Sequence, residues 1–245
     1  MRSLLVLLLV SLTSFYSFAT DYSQAEQQRR IKKLLMGQVG SSASIQYGVN
    51  TLLKRCPEQV KMVLPVALKL YPHQYRQIMV GAIRAQPALI SDVVDAVITA
   101  NVTSAENVVR TAISVEPAYS REIIGMAEQH NPSNLENIVR VAVQTEPFIS
   151  GSVIEDTAKS KPQVLWAVLT GAIKGLPNQV SKFVKKAIAL FPSESESVVT
   201  HAVYSSNKQS REIVKAAVES GLDEKSAIAA AIKGGAKQTD LAKVK

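Results

Sequence analysis

The residues of this chain from which catalysis would have to be built are few. They are three histidines (His73, His130 and His201), one cysteine (Cys56), and carboxylate pairs such as Glu194 with Glu196 and Glu155 with Asp156. Acid–base chemistry needs a carboxylate or imidazole beside a partner group, and metal binding needs Cys or His at ligand intervals; neither arrangement occurs. Gly-rich phosphate loops, GxSxG elbows and HExxH helices are also missing. The carboxylate pairs therefore read as solvated charges and the histidines as surface or boundary residues. Cys56 has no second cysteine to pair with and reads as a small buried apolar residue beside Pro57. The sequence predicts no enzyme, no cofactor and no metal site.

Residues suited to binding are better represented. Arg29, Arg30, Lys32 and Lys33 form the densest basic cluster, with Lys182, Lys185 and Lys186 second. Such clusters suit anionic lipid head groups or acidic glycans, against the ordinary reading of a solvated helix face. Glu106 with Arg110 and Glu136 with Arg140 stand four apart with the acid first, the favourable order for a helical ion pair worth about 0.2–0.5 kcal/mol. Trp166 is the only tryptophan.

The elements that must position these groups follow from the prolines. They fall at 57, 72, 87, 117, 132, 147, 162, 177 and 192, fifteen residues apart except where Val102 leaves a gap of thirty; only Pro65 lies off the grid. Counting each block from its proline, position 7 holds Val63, Ile78, Val93, Val108, Ile123, Ile138, Val153, Val168, Phe183, Val198, Ile213 and Ile228. Position 8 is also apolar, position 11 is Ala in most blocks, and position 12 is usually Ile or Val. Positions 4, 7, 8, 11 and 12 are the apolar stripe of an amphipathic helix. A continuous coiled coil is excluded, because each interior proline would cost about 3 kcal/mol. Each block is therefore one helix of ten to twelve residues plus a turn. A helix this short barely forms alone and must be stabilised by neighbours.

The stretches ENVVRTAISVEPAYS (106–120) and ENIVRVAVQTEPFIS (136–150) share eight of fifteen residues thirty apart. Two helices thus make one unit, and the unit stacks on itself. The fold predicted is all-α, a right-handed α-solenoid of short antiparallel helix hairpins, about thirty residues per two-helix unit.

In this pattern the chain resembles HEAT-like α-solenoid repeat proteins, and more narrowly the proline-punctuated, Ala- and Val-rich repeats of exported bacterial proteins. The resemblance covers residues 57 to about 236 and is one of architecture; the tetratricopeptide signature, with its longer period, is absent. It implies protein or peptide binding along a solenoid face.

The ends depart from the grid. Residues 1–19 read as a secretory signal: Arg2, then an apolar run over 4–12, then Ser17, Phe18 and Ala19 before the cut. An uncleaved anchor is the competing reading. Residues 20–41 read as a basic helix ending near Gly37 with a linker, 42–236 as the repeat domain and 237–245 as a flexible tail. The expected address is outside the cytoplasm, periplasmic or extracellular, and the chain is not expected to be an integral membrane protein once the signal is removed.

The stated net charge of +8 is unevenly spread, with balances of +7 over 20–86, −6 over 87–160 and +6 over 161–245. In a solenoid, sequence order is spatial order, so basic ends and an acidic waist are expected. Nucleic acid is not an expected partner, since the basic residues are not interleaved with aromatics. Trp166 stands at block position 5, where other blocks carry Lys61, Arg76, Glu106, Glu136 and Glu196, a position that should face water. It is either a contact for a partner or a filler above Gly151. The function expected is a non-enzymatic interaction scaffold binding a protein or peptide; the alternative is an envelope-associated protein that binds anionic glycan or lipid, or self-assembles, through its basic ends.

Overall fold

A computed structural model describes residues 24–40 and 44–241, without the side chains of residues 157 and 158. The expected secretory signal, residues 1–19, lies outside the described residues, as do the last four residues of the expected tail. All regular structure in the described part is helical, in many short helices packed against one another, as a helical repeat requires. No helix among the described residues is long and apolar enough to cross a membrane.

The fifteen-residue period has a simple local composition. Each grid proline opens a three-residue 3-10 turn, for example Pro57–Gln59 or Pro72–Gln74, and an α-helix follows at once. The residue before each proline is held at φ between −153° and −133°. That is the extended conformation which the proline ring imposes on its predecessor. Its own N–H still closes the preceding helix, as Tyr71 N donates to the Ala67 carbonyl at 2.9 Å; its carbonyl accepts the first 3-10 bond, from Gln74 N at 2.9 Å. Proline sits where no donor is needed. The helix start expected at each proline is thus a 3-10 start, with the α-helix beginning three residues later.

Where no grid proline leads, a side chain caps the helix instead. Ser44 accepts from Tyr47 N, Ser104 from Asn107 N and Asp223 from Ser226 N. The Asn207 block keeps the 3-10 turn without proline, with Ser206 at φ −151°.

The chain divides into two compact units, residues 1–102 and 103–245. The boundary falls where Val102 replaces the grid proline and Asn101 adopts a left-handed φ of 50°. In the first unit, α1 spans 24–40, followed by α2 (Ile45–Arg55), α3 (Val60–Leu70), α4 (Tyr75–Ala85) and α5 (Ile90–Thr99). Helix α2 packs on α4, and α3 on α5. Helix α1 runs through Gly37 rather than ending there, and its Leu35 and Gln38 side chains lie over Gly48 of α2. Pro65 is exposed inside α3 and does not end it.

In the second unit the helices are α6 (Ala105–Val115), α7 (Ser120–His130), α8 (Leu135–Thr145), α9 (Ser150–Ser160), α10 (Leu165–Gly175), α11 (Val180–Leu190), α12 (Ser195–Ser205), α13 (Ser210–Glu219), α14 (Glu224–Lys233) and the short α15 (Gln238–Leu241). Even-numbered helices pack in succession from α6 to α14, odd-numbered ones from α7 to α15, and chain neighbours pack on each other. The stripe positions form the core: Val108, Val109, Ala112 and Ile113 of α6, and Val168, Leu169, Ala172 and Ile173 of α10, are fully buried. Contact between α8 and α10 is close enough that a Cβ on Gly171 would meet the Glu136 carbonyl oxygen. Residues 238–241, placed in a flexible tail by the sequence reading, form a helical turn here. Leu241 is buried, and the Asp240 carbonyl accepts hydrogen bonds from Arg211 at 3.1 and 3.3 Å.

Candidate interaction surfaces

Trp166 is half-buried on α10, and its indole stacks on the imidazole of His201 on α12, with ring centroids 4.1 Å apart and planes 13° from parallel. The filler reading at Gly151 is not what is observed: Gly151 lies on α9, with the Lys182 side chain nearest to it. His201 is held from below, since its Nδ1 lies 3.3 Å from the Ser197 carbonyl oxygen one turn back. The stack forms one wall of a groove of about 510 Å³, whose lining includes Glu194, Glu196, Thr200 and Lys233. Thr200 Oγ1 lies 3.1 Å from the Ala230 carbonyl oxygen, tying α12 to α14 within the lining.

Glu194 and Glu196 are exposed and have no ion-pair partner among the described residues. Several other acids of this unit are already engaged across helices. Glu128 pairs with Lys161 at 2.8 Å, Glu136 with Lys174 at 2.7 Å, and Glu219 with Lys185 at 2.6 Å. Glu155 is shared by Lys159, at 2.7 Å, and Lys186. The lysine hydrogen bonds, that of Lys159 first and then that of Lys186, pull the Glu155 carboxyl down to about 2. The Glu219 carboxyl is lowered chiefly by the hydrogen bond from Lys185.

The helical ion pairs expected from spacing are not formed. Glu106 accepts a 2.8 Å hydrogen bond from Asn134 Nδ2, which lowers its pKa. Glu136 reaches Lys174 on the next even helix, and Arg140 Nη2 donates to Asn137 Oδ1 at 3.3 Å. Tight stacking puts a partner on the next helix within reach, where sequence spacing sees only partners on the same one.

The two basic clusters fare differently. In the second, Lys185 and Lys186 are drawn into the pairs just described, and only Lys182 is exposed without one. In the first, all four cations of α1 are exposed, and Arg30 alone is paired, with Glu26 at 2.7 Å. Cys56 is half-buried at the C-terminal end of α2. His73 and His130 are exposed and apart from the groove. Among the described residues no three of His, Cys, Asp and Glu stand together as metal ligands would.

Sequence reasoning singled out Trp166 but treated His201 and the Glu194–Glu196 pair as ordinary surface. The period holds part of the signal, since Trp166 and Glu196 occupy position 5 of blocks thirty residues apart and so belong to successive even helices; it does not reach His201, at position 10. No protein-family model, curated protein or solved structure matches the chain.

Proposed function

We propose that this protein is an exported, non-enzymatic scaffold, a right-handed α-solenoid of antiparallel hairpins, that binds a basic peptide segment of a protein partner in the groove beside Trp166 and His201. One observation carries the reading: a stacked indole and imidazole line a groove together with two carboxylates that form no ion pair among the described residues. A guanidinium or ammonium entering there meets the two groups that favour it most, an aromatic face and an unpaired carboxylate. Lys233 is in the same lining, so Glu194, Glu196 and Lys233 together carry one net negative charge. Tryptophan is also the residue most enriched where binding energy concentrates.

Because Trp166 is the only tryptophan, its fluorescence reports on this groove alone. Titrating the protein with Arg- and Lys-containing peptides should quench or shift its emission, with an acidic peptide of equal length as control. Glu194→Gln with Glu196→Gln should weaken the response by about tenfold or more, as loss of charge-assisted contacts does. Emission that ignores every peptide, or responds equally to the acidic one, refutes the assignment.

A second reading, binding of an anionic envelope polymer through basic ends, is favoured by the exposed cations of α1.

A further inference from the structure

From α1 we infer a docking face for an anionic lipid surface. The inference is independent of the Trp166 groove, which lies in the other unit. The helix has two sides with separate tasks. Ile31 and Leu35 are buried, with Leu35 against α2 at Gly48. At 100° per residue, Arg29, Lys33 and Met36 then point nearly opposite, flanked by Lys32 and Arg30. All five are exposed, and so is Leu34; Leu34 and Met36 keep 52% and 50% of their surface in solvent. Glu26 is the only acid in residues 24–40, and it is committed to Arg30. Arg29, Lys32 and Lys33 therefore present three cations that nothing among the described residues neutralises, unlike Lys185 and Lys186.

The mixture selects the occupant. Cations alone would suit any polyanion, including an acidic glycan. Half-exposed Met36, which falls between Lys32 and Arg29 around the helix, gains nothing from a hydrated polysaccharide but can enter the boundary between head groups and acyl chains. Leu34 lies about 160° away from it, beyond Arg30. One apolar side chain is too little for a permanent anchor, so binding should be reversible and chiefly electrostatic, each cation contributing about fivefold in affinity.

The test is sedimentation of the full chain with vesicles of phosphatidylcholine alone or mixed with phosphatidylglycerol. The protein should be retained by the mixed vesicles and released as salt rises from about 0.05 to about 0.5 M, where screening shortens from beyond 10 Å to a few Å. Each of Arg29→Gln, Lys32→Gln and Lys33→Gln should lower retention about fivefold, and the triple variant about a hundredfold. Met36→Ser should weaken vesicle binding several-fold while leaving retention on soluble dextran sulfate unchanged. All these side chains are exposed, so an unchanged helical spectrum verifies that the variants fold. Equal retention on phosphatidylcholine, or retention indifferent to salt, overturns the inference and points to the apolar run at 4–12. Vesicle binding unaffected by the Met36 change also overturns it, in favour of a soluble polyanion. Trp166 variants should bind vesicles normally, so failure of the peptide groove and failure of this face are separately readable.

Discussion

Gly171 on α10 and Gly125 on α7 both occupy helix interiors, yet the same substitution should move stability in opposite directions. Alanine is intrinsically better than glycine in a helix by about 1 kcal/mol. At Gly125 nothing lies within 4 Å of the new methyl, so Gly125→Ala should stabilise the protein by about 0.5–1 kcal/mol. At Gly171 the methyl would press on the Glu136 carbonyl and stand 3.2 Å from Arg140 N, both backbone atoms that cannot rotate away. Gly171→Ala should therefore cost about 1–3 kcal/mol net, by overpacking. Urea unfolding of the two variants decides it, and stabilisation by both would mean that α8 and α10 are not in such close contact. The same closeness explains what residue-level reading of the sequence missed. Periodicity identified the buried stripe in the blocks led by the prolines, down to the alanines. It did not do so in α14, where Ile228 is half-buried and Ile232 exposed while Ala227, Ala230 and Ala231 are buried, because that helix starts from the Asp223 cap and not from a 3-10 turn. It could not tell that Glu136 would reach Lys174 or that Trp166 would meet His201, because those partners are thirty-five to thirty-eight residues away and are set by the distance between helices.

For the individual helix, the prolines were legible as boundaries because a ring that removes a donor and restrains its predecessor leaves little freedom. The 3-10 turn was not legible, since proline at the first position of an α-helix and of a 3-10 turn look alike in a sequence. The gap at 102 tests the account of helix starts. There α6 has no leading proline and relies on Ser104, whose Oγ accepts from Asn107 N at 3.4 Å. Ser104→Ala should cost about 1 kcal/mol, the usual worth of an N-cap. The long hydrogen bond puts the expected value at or below that figure, and a loss above about 2 kcal/mol would show that the serine does more than cap. Pro65 tests the other side of the argument. It lies in the interior of α3, where it removes a donor, and is exposed, so Pro65→Ala should stabilise the first unit, by up to about 3 kcal/mol. Part of that gain is offset because alanine also frees the unfolded chain. Unchanged or reduced stability in denaturant would indicate that the helix is already adapted to its proline.

For the whole molecule, the cross-helix ion pairs predict how the fold meets acid. Among the described residues the carboxyls with lowered pKa values, Glu106, Glu155 and Glu219, all belong to the second unit; Glu106 is held by Asn134 and Glu219 by Lys185 of another repeat, and Glu155 first by Lys159 of its own helix and then by Lys186 of another. A carboxyl whose folded pKa lies below its unfolded value binds protons more readily once unfolded, so its stabilising contribution is complete above the unfolded value and is lost as pH falls through the folded one. For Glu155 that window runs from 4.5 down to about 2. Stability should therefore decline as pH drops across it, and the decline should be shallower in Glu155→Gln, which has no carboxyl to protonate. The effect must also shrink in high salt, because these pairs are largely open to solvent. Denaturant midpoints of the parent and variant between pH 5 and about 2, at low and high salt, measure this directly. Coincident acid profiles would mean that neither Lys159 nor Lys186 is held against Glu155 in solution, and the charged link from α9 to α11 would then be incidental to a stack maintained by its apolar stripe.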